Sequence, residues 1–145
     1  MKKLLLLLCI AALPLVAQGS GRPKTPGASL HLKATSHNFG DAPRRGGDLV
    51  YELHFTNDGT APLVLTRVVT SCSCLKGHFQ RRPVAPGEEG IIRIVYEPQK
   101  SEPGVFNKVI QIYSNGPDGR AIFTVQGNSI EGGKVKIKNE KVKIK

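Results

Sequence analysis

The chain is 145 residues long, with 21 Lys and Arg against 11 Asp and Glu, three Cys and no Trp. That length suits one domain, and the formal net charge of +10 favours contact with polyanions over acid-coated, disordered behaviour. Beyond the first 20 residues no apolar run approaches the ~20 residues of a membrane-spanning helix, which excludes a multi-span membrane protein built from helices.

Met1-Lys2-Lys3 is a short basic start, and Leu4 to Leu8 with Cys9, Ile10, Ala11, Ala12 and Leu13 form a short apolar core. Small residues follow at Ala17 and Gly19. This order describes a secretory signal peptide over residues 1–19, cut between Ala17 and Ser20, and so an exported protein of the periplasm or cell exterior. Cys9 lies inside the apolar run and follows Leu8, unlike the cysteine of a lipid anchor. Residues 20–28 lack large apolar side chains and read as a flexible linker.

Residues 29–130 change character, to short apolar alternations broken by Gly, Pro, Asn and Asp. Leu49, Tyr51, Leu53 and Phe55 share one face of an extended segment, with Glu52 and His54 on the other. Asn57-Asp58-Gly59-Thr60 breaks the run with residues that tolerate left-handed backbone, and Leu63 to Val69 resumes it. Pro86 to Gly90 is a turn before Ile92, Ile94 and Tyr96. Val105 to Tyr113 puts Phe106, Ile110 and Ile112 on one side, with Lys108 the exception among them. Ser114 to Gly119 is the next break, and Ala121, Phe123 and Val125 alternate after it. No segment holds helical i, i+3, i+4 spacing over three turns, so short strands joined by turn chemistry imply an all-β sandwich or barrel.

Residues 131–145 form a basic tail in which Lys134, Lys136 and Lys138 recur as Lys141, Lys143 and Lys145 around alternating Val and Ile. The alternation suits an edge strand or hairpin, and its lysines could contact an acidic surface polymer. A nucleic-acid partner is not expected, because no aromatic is interleaved with these lysines.

Asn38-Phe39-Gly40, Phe55 to Gly59 with Pro62-Leu63, Ser71 to Cys74, Pro86-Gly87-Glu88, Gly104-Val105-Phe106 and Ser114-Asn115 stand in order along residues 30–128. As an ordered set they resemble the secreted bacterial domain-of-unknown-function family 1573, related in fold to Hydin-type immunoglobulin-like modules. The resemblance implies an exported, single-domain, immunoglobulin-like antiparallel β-sandwich and brings no established activity. Ser73 stands where the family usually has Gly, and Leu75 where it usually has Thr.

Cys72 and Cys74 are the only cysteines after the signal segment. In a strand, residues i and i+2 have Cα atoms ~6.5–7 Å apart, at the upper limit for a disulfide, so a bridge needs a turn at Ser73. Three readings stand open: a local disulfide or inert pair, a thiol-exchange or partner-linking pair, and a metal site completed by His78. Lys76, Arg81 and Arg82 are close in sequence, and positive charge there would favour thiolate. His31, His37 and His54 fall on strand-like segments and are expected to face solvent.

No Gly-x-Ser-x-Gly, His-Glu-x-x-His or phosphate-cradling loop is present in the sequence. The leading expectation is a non-enzymatic envelope module, without cofactor, that binds another envelope protein or acidic surface polymer through loops or a sheet edge. The alternative is a redox-active or metal-handling protein using Cys72 and Cys74.

Overall fold

Period-two alternation gives each sheet one apolar face, and this chain buries it by packing sheet against sheet. The computed structural model describes residues 24–132. In chain order these form β1 (Leu30–Leu32), β2 (Ser36–Pro43), β3 (Leu49–Asn57), β4 (Leu65–Thr70), β5 (Leu75–Phe79), β6 (Glu89–Tyr96), a single 3-10 turn (Pro98–Lys100), β7 (Gly104–Ser114) and β8 (Arg120–Ile130). One sheet has the order β1-β3-β6-β5 and the other β2-β8-β7-β4.

The inner faces carry the residues that alternation assigns to them. Leu53 and Phe55 on β3, Ile92, Ile94 and Tyr96 on β6, Phe106, Ile110 and Ile112 on β7, and Phe123 and Val125 on β8 are all buried. Aromatic rings join the sheets across this core: Tyr51 stacks on Phe123 with centroids 5.7 Å apart, and Tyr96 meets Phe106 at 4.4 Å and Phe39 at 5.9 Å.

Several sequence expectations change. The sandwich is not wholly antiparallel, since β2 runs parallel to β8. The chain leaves the first sheet after β1 and joins the edge of the second as β2, beside β8. Strand β5 has only Leu75 and Phe79 as large apolar residues around a central glycine, too faint a pattern to read as a strand. Gly77 belongs there because a Cβ would come within 2.5 Å of Val68 on β4. Gly127 lies inside β8, where a Cβ would meet Phe106 at 2.6 Å and the Gly40 carbonyl at 2.8 Å.

The expected linker is also corrected at its C-terminal end. Thr25 bridges to Gly59, the Gly27 carbonyl accepts from the Thr60 and Ala61 amides, and Ala28 is buried. Residues 25–28 are therefore docked on the sandwich. His37 does not face solvent. It points inward, stacked on Tyr51 with centroids 3.9 Å apart and edge-on to Phe39 at 4.7 Å, and burial pushes its pKa down. The expected signal peptide, and the lysine tail from residue 133 on, lie outside the described residues.

Asn57, expected as a turn residue, is instead the last residue of β3 and is fully buried. Its side-chain Oδ1 accepts from the amides of Ser29 and Gly59, and its Nδ2 donates to the carbonyls of Ala61 and Val84. All four hydrogen-bonding positions of the amide are used. Asn57→Asp replaces the donor with an oxygen facing two carbonyls and should destabilise the fold by about 3–5 kcal/mol at neutral pH. Urea denaturation will read this loss, part of which should return in acid as the carboxyl gains a proton and a donor.

Candidate functional site: the Cys72–Cys74 bridge and its groove

The site forms where the chain passes from one sheet to the other. Strand β4 ends at Thr70, opposite Ile110 on β7, and the Ser71 amide then donates to the Val109 carbonyl while the Val109 amide donates to Ser71 Oγ. From there the chain turns toward β5, whose first residue, Leu75, pairs with Tyr96 on β6. The turn is held by the Leu75 amide on the Cys72 carbonyl at 3.3 Å and the Glu97 amide on the Cys74 carbonyl at 2.8 Å. The Thr70 hydroxyl lies within hydrogen-bond distance of the Cys72 and Leu75 carbonyls.

This turn draws the two Cα atoms to 5.2 Å, inside the range that a disulfide spans, and Cys72 and Cys74 are bonded to each other. Among the three sequence readings, the local bridge is the state present. The metal set is corrected. Both sulfurs are committed to the bridge and offer no thiolate, while His78 is exposed on β5, opposite Arg93. Among the described residues no three His, Cys, Asp or Glu side chains gather as a metal cluster.

The predicted cations are dispersed. Arg81 and Arg82 lie beyond β5, which at ~3.3 Å per residue carries them roughly 17 Å from the bridge. Lys76 is close in sequence but its Nζ pairs with Glu97 Oε1 at 2.7 Å. Lys100 pairs with the other oxygen, Oε2, also at 2.7 Å. Glu97 is only 8% exposed, and the Lys100 and Lys76 hydrogen bonds hold its carboxyl below the ordinary range against the opposing effect of burial. The same contact raises the Lys76 pKa.

Two cations that sequence proximity did not nominate border the bridge. Lys100 and Lys108, with Ser101, Glu102, Phe106 and Asn107, line an open groove of about 450 Å³ against Cys72 and Cys74. Lys108 was the exception in the alternation of β7. It occupies an inward position between Phe106 and Ile110, so its ammonium must find a way out of the core, and the groove is that exit. A charged residue on the apolar side of a strand was thus the signal in the sequence. Cys74 is 2% exposed and Cys72 half-buried, so the two halves of the bridge differ in burial.

Two four-stranded sheets packed face to face around this core define an immunoglobulin-like β-sandwich. The fold recurs in a protein of unknown function from Porphyromonas gingivalis W83, which is 21% identical with a TM-score of 0.63 over 74% of this chain and 49% of its own. This chain thus spans about half the length of that protein. The ASH/PapD-like domain 7 of human CEP192 is 12% identical, with a TM-score of 0.60 over 84% of this chain and 99% of its own. Vibrio cholerae VesB protease is 16% identical, with a TM-score of 0.53 over 70% of this chain and 31% of its own. At these identities the likeness is one of fold. The family model for proteins of unknown function DUF1573 matches residues 30–129, and the chain belongs to that family. No curated protein matches it.

The Glu97 arrangement fixes the sign of a pH effect. A carboxyl depressed in the folded state adds stability that is complete above the ordinary Glu value of about 4.3 and is lost as pH falls through the lower folded value. Glu97→Gln should therefore flatten the decline of unfolding midpoint with pH below about 4.3, measured by thermal melts across an acid series. Some decline will remain from Glu89, whose carboxyl is depressed by its contact with Lys33.

Proposed function

We propose that this chain is an exported, non-enzymatic recognition module of the bacterial envelope, whose partner is another protein seated on the outward face of the β2-β8-β7-β4 sheet. The observation that carries this reading is the composition of that face. Four of the six exposed large apolar residues among those described lie on it: Val69 on β4, Val105 and Val109 on β7, and Ile122 on β8. Around them stand the neutral side chains of Asn38, Asn107, Gln111, Thr124 and Gln126.

Charge is confined to the ends of this face. Arg67 lies over the Tyr113 ring at 4.3 Å and Arg120 bonds Gln111 at one end, while Asp41 bonds Asn128 at the other. In a chain of net charge +10, a neutral sheet face is a poor fit to an acidic polymer. Apolar and amide groups together suit a protein surface, where the buried centre is depleted of charge. The 6 to 11 residues of its four strands give a face of roughly 570 Å², about two-thirds of the ~800 Å² that each partner of a standard interface contributes. The secretory N-terminal pattern supports export.

The test is a photo-crosslinking side chain at Gln126 in the full chain, expressed in cells that export it. The expected result is one discrete adduct that falls about tenfold with Val109→Glu and Ile122→Lys combined, and persists with Val50→Glu and Ile91→Lys on the opposite sheet. The reverse pattern would place the partner on the other face and overturn the reading.

A further inference from the structure

We propose that the Cys72–Cys74 bridge is a thiol–disulfide exchange site for anionic thiols, with Cys72 Sγ the sulfur attacked and Cys74 Sγ the leaving group. The inference goes beyond partner binding and stands on four features of the crossing from β4 to β5.

The first is that the fold does not need the bridge. It closes a loop of sequence separation 2, the shortest kind of cross-link here, and so removes little freedom from the unfolded chain. Hydrogen bonds already fix the turn, through Ser71 and Val109, Leu75 and Cys72, and Glu97 and Cys74. Their partners are backbone atoms and the Ser71 hydroxyl, none of which changes when the sulfurs separate.

The second is the asymmetry of access. Both cysteines line the open groove, but Cys72 is only partly buried and Cys74 nearly sealed, so an incoming thiolate meets Cys72 first. The third is charge. Lys100, Lys108 and Glu102 line the groove; Lys100 shares the Glu97 carboxylate with Lys76, and Lys108 makes no ion pair with Glu102 or any other described residue, so its charge is free to meet a ligand. A cation at that position attracts an anionic thiol to the bridge more than a cationic one. The fourth is position. Val105, 89% exposed, and Asn107 belong both to the groove and to the outward face of the second sheet, so a thiol carried by a docked molecule would arrive beside Cys72.

The step balances with a dithiol as reductant. One thiolate of the reductant attacks Cys72 Sγ, forming a mixed disulfide, and the Cys72–Cys74 bond breaks with its electron pair on Cys74 Sγ. The second thiolate of the reductant then attacks its own sulfur in the mixed disulfide and releases Cys72 as thiolate. The bridge gains two electrons, two protons reach the cysteine thiolates from solvent, and the reductant becomes a disulfide.

The test uses the folded mature chain without denaturant, following free thiols by alkylation and mass. Dithiothreitol should open the bridge while the circular dichroism spectrum and amide exchange of the core stay native. Reaction with glutathione, an anionic thiol, should slow by about threefold in Lys108→Gln, the effect of one unit charge at roughly 6 Å through water, and should recover in Lys108→Arg. Reaction with cysteamine, a cationic thiol, should not slow in Lys108→Gln. A bridge that opens only at the rate of global unfolding would overturn the proposal, as would equal slowing of both thiols. The double variant Cys72→Ser, Cys74→Ser should keep a melting temperature within a few degrees of the parent. Loss of the fold in that variant would assign the bridge to structure alone, a result independent of whether a partner occupies the second sheet.

Discussion

The carboxamide of Asn57 ties together stretches of backbone that would otherwise meet only through the core. It takes the amides of Ser29 and Gly59 and gives to the carbonyls of Ala61 and Val84, while its own main chain bonds the turn at Gly87 and Glu88. A primary amide has two acceptor directions and two donors, and here each is used inside the protein. The start of β1, the loop at Gly59 and Ala61 and the return from β5 to β6 are all tied to this one side chain. Its burial is tolerable because no polar atom of the group is left without a partner.

The opposite end of the sandwich is built on a different constraint. The chain must cross from the second sheet to the first between Thr70 and Leu75, in four residues, while its strands stay in register with β7 on one side and β6 on the other. A tight turn satisfies that geometry, and the turn brings Cys72 and Cys74 within bonding distance. Val68 over Gly77 closes the same side of the sandwich, where β4 and β5 lie against each other at the two sheet edges. Glu97 holds that turn through its main chain, as a donor. Its amide bonds Cys74, and its carboxylate gathers Lys76 and Lys100 beside it. Charge, bridge and groove therefore share one corner for a topological reason.

The sheets were legible wherever a strand has one dry and one wet face, because the side-chain period of two then appears directly in the residues. Strands β3, β6, β7 and β8 are of this kind. β5 was not legible, since a glycine selected by contact with Val68 interrupts its pattern. Asn57 was misread for a related cause. Asn is common in turns because it tolerates left-handed backbone, but here it was selected for four hydrogen bonds to distant segments. His37 followed a strand pattern, yet which face of β2 is inward depends on the crossing of β2 into the second sheet.

By itself the sequence determined the all-β class, the inward residues of the long strands, the family resemblance and the need for a turn at Ser73. These follow from local periodicity and from bond geometry, which act over a few residues. Only the tertiary structure decided that the Cys72–Cys74 bridge is closed, that β2 runs parallel to β8, and that Lys100 and Lys108, not Arg81 and Arg82, line the groove beside the sulfurs. Sequence proximity is a poor guide in a sandwich because an extended strand carries a neighbour away at about 3.3 Å per residue, while strand pairing returns a residue from over 30 positions later to within a few ångströms. Lys108 shows both effects, visible in the chain as an exception to a pattern and given a purpose only by the fold.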